Sequence, residues 1–243
     1  MQENDFLKLV EIVRNRVEWD AASGVDFYPK PVKTAGSGTR VEGALEPQEA
    51  GPDSGGLSAG ERLELLRGEI GDCTRCKLSQ KRLSMVFGEG NPSARFVFVG
   101  EGPGEDEDQQ GRPFVGRAGQ LLNKIIAAIK LKREEVYICN VVKCRPPNNR
   151  TPQVDEIETC SPFLTRQIEI IKPEFVVLLG LTAAQTILNT KEPLIKLRGR
   201  INRINGIKYI VTYHPSALLR NERLKAPTWE DMKMLMKEAG IQL

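Results

Sequence analysis

Four of the five cysteines stand in an order that could hold a metal. Cys73 and Cys76 form C-x2-C within GDCTRCKLSQ, and Cys144 and Cys160 complete a C-x2-C-x67-C-x15-C pattern. Four thiolates suit a zinc ion or a [4Fe–4S] cluster, and spacing alone leaves both open. Unconnected buried cysteines are the plain alternative, weakest for the close pair. Nothing near these cysteines suggests a substrate on the metal, so the site reads as a staple across about 90 residues of chain. Cys139, inside VYICNVV, reads as a small core residue.

The chain has one histidine, His214, which excludes any mechanism needing two. It follows an apolar run and opens His-Pro-Ser-Ala-Leu-Leu-Arg. A lone histidine is as readily structural as catalytic. Asn140 sits in an otherwise apolar segment, where a buried amide must find hydrogen bonds. It could tether a loop, or read the edge of a planar ligand with one donor and one acceptor. The segment Gly100–Asp108 (GEGPGEDED) combines glycines, a proline and five carboxylates. Those charges argue against a pyrophosphate, and the missing Lys-Ser/Thr pair argues against a P-loop. A solvated acidic loop is the simplest reading of the run. Phe114, between the glycines of GRPFVG, is a candidate stacking platform, with ordinary packing as the alternative.

These residues need a scaffold, and the hydrophobic pattern supplies one. Apolar runs predict strands at Arg95–Gly100, Val136–Val142, Phe175–Gly180 and Tyr209–Thr212. Helical spacing predicts a helix over Arg117–Leu131, another opened by a Thr151 cap with Pro152 in its first turn, and further helices from Thr182 and near Thr228. Strand–helix alternation predicts a three-layer α/β/α sandwich around a central four-stranded parallel sheet. Ligands in such sheets bind beyond the carboxyl ends of the strands, so the loops starting at Gly100, Lys143, Gly180 and Tyr213 are the places to look.

The 243 residues are 40% hydrophobic and 28% charged, within the globular range, which excludes global disorder and collagen-like repeats. No apolar run approaches the roughly 18 residues of a membrane span, and the acidic N-terminus lacks a signal peptide's basic start. A soluble, cytoplasmic protein with no membrane association is expected. Residues 1–21 read as an amphipathic helix, 22–60 as a flexible linker rich in Gly, Pro, Ala and Ser, and 61–243 as the folded domain, with the compact part beginning near Ser58. The first 60 residues carry 6 Lys and Arg against 10 Asp and Glu, while the remainder carries 29 against 22. A mildly basic body suits a polyanionic partner.

Taken together, the motifs resemble the uracil-DNA glycosylase superfamily, specifically its iron–sulfur family 4 branch. That branch carries G-E-x-P-G-x-x-E-D followed by G-x-P-F-V-G-x-A-G, matched here by GEGPGEDED and GRPFVGRAG. It also carries N-x-V-K-C-R-P-P, here Asn140–Pro147, and H-P-S-x-L-L-R, here His214–Arg220. The resemblance spans roughly residues 65–240.

The resemblance implies an enzyme that flips deoxyuridine out of DNA and hydrolyses its N-glycosidic bond, releasing uracil and leaving an abasic site for base excision repair. It implies that Phe114 stacks on the base and that Asn140 donates to O4 and accepts from N3–H. Glu107 would form a wall near C5, and the Glu101-Gly102 turn would contact the base through its amides. His214 would hydrogen-bond O2 as charge builds, Leu218 would wedge into the duplex, and Arg220 and Lys143 would meet phosphates. Cys73, Cys76, Cys144 and Cys160 would hold a [4Fe–4S] cluster. Gly102 stands where the best-known branch has a water-activating acid, and no histidine is left for covalent trapping. The expected partner is uracil-containing DNA, single- or double-stranded, bound by a nucleoid-associated monomer, with residues 1–60 free to recruit a replication or repair protein. Two rivals compete with this reading. A non-catalytic, metal-stapled nucleic-acid-binding module predicts affinity without base release. An electron-transfer protein predicts reversible redox and leaves the His-Pro-Ser motif unexplained.

Overall fold

The computed structural model describes residues 56–242. The expected helix over 1–21 and most of the 22–60 linker lie outside the described residues. Four strands form a parallel core: β2 (Phe96–Gly100), β3 (Tyr137–Asn140), β4 (Phe175–Leu179) and β6 (Ile207–Thr212). Two antiparallel edges extend it: β1 (Glu89–Gly90) pairs with β3, and β5 (Ile201–Ile204) with β6. The sheet order is β1-β3-β2-β4-β6-β5. The expected parallel sheet is therefore the centre of a six-stranded mixed one. The β5–β6 hairpin turns at Asn205-Gly206, both in the left-handed region (φ 50° and 81°), the Asn-Gly signature of a tight hairpin.

Alternate residues of each central strand enter opposite cores. Val97, Val99, Val176, Leu178 and Val211 face one layer, built with α1 (Ala59–Ile70) and α4 (Val154–Ile171). Phe96, Phe98, Val177, Leu179 and Ile210 face the other, built with α3 (Arg117–Ala128) and α8 (Lys225–Ala239). The two-residue period of a strand explains why such runs read as continuously apolar when both faces are covered. The remaining helices are α2 (Glu105–Gln110), α5 (Leu181–Leu188), α6 (Leu194–Leu197) and α7 (Pro215–Arg220).

Local chemistry accounts for the boundaries. Ser58 caps α1 in a capping box: Glu61 N donates to Ser58 Oγ (3.2 Å) and Ser58 N to Glu61 Oε2 (2.7 Å). The helix expected to open at a Thr151 cap opens at Val154 instead. Gln153 is its N-cap, and its amide donates to the fully buried Glu156 (2.7 Å), which Arg150 grips with both guanidinium ends. The acidic run expected to be a loop folds at its end into α2. Its first turn is four carboxylates, which suit the positive end of a helix dipole.

Candidate active site

Four strand ends converge on one cavity. β2 ends at Gly100, β3 at Asn140, β4 runs into Gly180, and β6 runs through Tyr213 into His214. β2 lies between β3 and β4, where chain connections leave in opposite directions, the usual binding crevice of an open α/β sheet. The cavity, about 590 Å³, is lined by Glu101, Gly102, Glu107, Phe114, Asn140 and His214, and the exposed Arg220 also reaches its wall.

Gly100 lets two of these side chains meet. A Cβ there would lie 2.4 Å from Asn140 Oδ1 and 2.5 Å from the Phe114 ring, so only glycine permits the approach. The Asn140 Oδ1 atom is buried without a hydrogen-bond partner. An orphaned acceptor in a cavity wall is what a ligand's N–H would satisfy, and a loop tether would not leave it free. The Phe114 and His214 rings lie 5.6 Å apart between centroids.

His214 caps α7. Ser216 N donates to its Nδ1 (3.1 Å), and Ser216 Oγ lies 2.8 Å from the same atom. Nδ1 is thus an acceptor, and the ring proton belongs on Nε2. Burial, reinforced by the Arg220 charge, lowers the imidazole pKa to about 4. The ring is a neutral donor at physiological pH. Behind it, Thr212 Oγ1 donates to Asp231 Oδ2 (2.6 Å) and Arg198 Nη2 to the same oxygen (2.7 Å). The Arg198 guanidinium stacks 4.2 Å from the Tyr213 ring centroid, anchoring the strand end that carries His214.

Glu107 faces the cavity with its charge already engaged. Val115 N and Gly116 N donate to Oε1 (2.9 Å each), and Gly104 N to Oε2 (3.1 Å). It ties the acidic segment to the Phe114 loop. Glu101 accepts from Thr182 Oγ1.

Two expected DNA contacts require correction. Lys143 is 1% exposed, and its Nζ donates to Asn140 O (2.8 Å) and Gln167 Oε1 (2.6 Å), so it cannot meet a phosphate. Its position follows from a sharp turn after β3 that sends the side chain back into the core. Leu218 is 2% exposed, whereas the next residue, Leu219, is 41% exposed. Leu218 points inward because the six-residue α7 buries a single face, carrying Pro215 and Leu218. Asn149, Arg150 and Leu181 line the cavity although the sequence pattern did not single them out. For Asn149 the available signal was Pro-Pro-Asn-Asn, a turn in which both asparagines adopt positive φ.

Cys73 and Cys76 lie in the loop after α1, Cys144 in the turn after β3 and Cys160 in α4. Cys144 and Cys160 are buried and Cys73 and Cys76 half-buried, all four in or against one core layer, while Cys139 is wholly buried in β3. Donors surround the sulfurs. Arg82 Nη1 lies 3.2 Å from Cys144 Sγ and 2.6 Å from Cys73 O, Arg75 Nη1 3.3 Å from Cys73 Sγ, and Lys143 N 3.3 Å from Cys160 Sγ. Burial raises the Cys144 thiol to about 11 against the pull of Arg82. Among the described residues no three His, Cys, Asp or Glu side chains are spaced to hold a single metal ion.

Comparison with known proteins bears on this site. The family model of the uracil DNA glycosylase superfamily matches residues 87–233. A type-4 uracil-DNA glycosylase of Thermotoga maritima is 49% identical over 187 residues, 74% of this chain and 97% of that protein. One from Archaeoglobus fulgidus is 42% identical over 188 residues, 74% of this chain and 94% of that protein. A type-5 uracil-DNA glycosylase of Pyrobaculum aerophilum is 31% identical over 146 residues, 53% of this chain and 64% of that protein.

Proposed function

Because the chain belongs to the uracil-DNA glycosylase superfamily, we propose that its strand-end cavity receives a deoxyuridine flipped out of DNA. The enzyme hydrolyses the N-glycosidic bond, releases uracil and leaves an abasic site for repair. The observation that carries the assignment of the cavity is the orphaned Asn140 Oδ1. Uracil presents an N3–H to that acceptor and O4 to the amide's N–H, whereas cytosine reverses both. Phe114 stacks on the ring, the Glu101-Gly102 turn offers backbone amides, and Glu107 holds the wall beside C5.

Bond cleavage sends an electron pair from C1′–N1 into the base, and the charge spreads to O2. His214 donates from Nε2 to that oxygen. A neutral imidazole with its proton on Nε2 can make this contact, because the hydrogen bond needs only the N–H and no formal positive charge. A positioned donor of this kind contributes about 3–4 kcal/mol to the transition state. Water completes the hydrolysis at C1′. Arg220, exposed at the cavity, meets a backbone phosphate.

Cys73, Cys76, Cys144 and Cys160 would hold a [4Fe–4S] cluster. The donor set fits: four thiols share one region, each buried sulfur has an N–H or guanidinium aimed at it, and iron–sulfur thiolates are tuned by such donors. When bound, the cluster supplies structural cross-linking. We further propose a monomer acting on single- or double-stranded uracil DNA in the cytoplasm beside the nucleoid, with residues 1–60 available to a repair or replication partner. No helix among the described residues is long and apolar enough to cross a membrane.

The test is single-turnover incubation with matched oligonucleotides carrying uracil, thymine or cytosine at one position, followed by alkali. Strand scission at uracil alone is expected. An intact uracil strand at saturating, cluster-loaded enzyme would overturn the assignment.

A further inference from the structure

Phe114 adopts a backbone conformation that its side chain disfavours. Its φ is 52°, in the left-handed region that bulky residues rarely occupy. Something outside the cavity must hold it there, and Arg133, from the turn before β3, is placed to do so. Its Nη2 donates to Pro113 O (2.6 Å) and its Nη1 to Phe114 O (3.1 Å). Two consecutive carbonyls fixed by one rigid guanidinium set the peptide planes on both sides of Phe114, and so set its φ and ψ.

The rest of the guanidinium is equally committed. Nη1 also donates to Asn123 Oδ1 (2.8 Å), while Nε (3.1 Å) and Nη2 (2.7 Å) both donate to Glu89 Oε1. Five N–H groups therefore meet five contacts, the full donor capacity of arginine. Glu89, on edge strand β1, is gripped from its other oxygen by Arg112 Nε (2.8 Å), at the start of the same loop. From the opposite side α3 presses against the loop through Gly119, where a Cβ would fall 1.9 Å from Phe114 O.

We infer that Arg133, held by Glu89, is a positioning residue for the uracil-stacking platform: it fixes the strained backbone of Phe114 from outside the cavity and touches neither base nor DNA. This inference rests on Phe114 being the platform. It gives a purpose to the short edge strand β1, which carries Glu89 to the back of the loop. A lysine could not replace Arg133, because one ammonium cannot span two carbonyls, an amide and a carboxylate at once.

The experiment is a double-mutant cycle on the full-length, cluster-loaded protein using Arg133→Gln, Phe114→Ala and the pair. Two quantities are read: inhibition of excision by free uracil, and affinity for abasic-site DNA. Arg133→Gln is expected to weaken uracil inhibition about five- to tenfold and to leave abasic-DNA affinity unchanged. In the Phe114→Ala background it should add nothing, since the platform it serves is gone. Equal losses in both backgrounds, or no loss in the first, would make Arg133 a plain structural residue and overturn the inference. If Phe114→Ala leaves uracil inhibition intact, the platform assignment and this inference fall together, while uracil excision by the wild type still stands. Should Arg133→Gln fail to fold, Glu89→Gln removes the charge that holds Arg133 and is expected to give the same non-additive loss.

Discussion

In the proposed reading, His214 serves the chemistry of the cavity and Asn140 serves recognition. Because the folded-state pKa of His214 is lowered to about 4 from an ordinary 6.5, its neutral form is favoured by folding. The associated stability is fully present above about pH 6.5 and is lost as pH falls toward about 4. Protonating Nδ1 would also oppose the Ser216 amide that now donates to it. The single-turnover excision rate should therefore be level from pH 8 down to about 5 and fall below that, and an acid limb between pH 6 and 7 would mean the ring is not held neutral. His214→Ala should bind uracil-DNA normally and lose about 10²–10³ in excision. Asn140→Asp keeps the size of the side chain but offers only acceptors when ionised. Uracil excision by Asn140→Asp should drop at least about tenfold, from an unmade contact worth about 1–3 kcal/mol. Cytosine excision should emerge faintly, more so at lower pH. An unchanged uracil-to-cytosine ratio would show that Asn140 does not read the base.

At the scale of elements, the turn after β3 links the strand that carries Asn140 to the cysteines. Lys143 spans that turn. Its backbone N–H points at Cys160 Sγ, and its side chain ties Asn140 O to Gln167, which in turn donates to Phe87 O (3.0 Å) and Tyr137 Oη (3.2 Å). Burial lowers the Lys143 ammonium pKa, yet both of its acceptors keep it hydrogen-bonded. Lys143→Met should destabilise the fold by about 1–3 kcal/mol in urea unfolding, because two buried acceptors lose their donor. The same variant should leave the salt dependence of DNA affinity unchanged. Arg220→Ala should shallow that dependence by about one charge. A shallower slope in Lys143→Met would restore the phosphate role that the buried geometry denies it.

Across the whole molecule, the four cysteines join a loop after α1, the turn after β3 and the body of α4. The proposed cluster would close a long stretch of chain against one side of the sheet. Anaerobically purified protein should be brown, with broad absorbance near about 400 nm. Cys144→Ser should lose the colour and melt lower, whereas Cys139→Ser should keep it, since Cys139 is a core side chain of β3. Colourless protein with one zinc per chain would replace the cluster with a simpler staple. A chain beginning near Ser58 should retain folding and excision, because Ser58 caps the first described helix and every cavity residue follows it.

Sequence alone determined the elements whose signal is local. Apolar runs marked the four parallel strands, and strand–helix alternation implied the layers, because hydrophobic periodicity is written residue by residue. Clustered motifs pointed to Phe114, Asn140, His214 and the cysteines, since glycines, a lone amide and a lone histidine stand out against an apolar background. Tertiary structure decided which side chains face the cavity. Lys143 and Leu218 carry the right chemistry for DNA but point inward, a direction set by a sharp turn and a short helix rather than by residue type. The edge strand β1 is two residues long, too short for any periodicity to register. The clamp on Phe114 joins Glu89, Arg112 and Arg133, dispersed along the chain and ordinary as surface charges. Nothing local marks them, because their meaning arises only when the sheet edge, the loop and the turn before β3 are brought side by side.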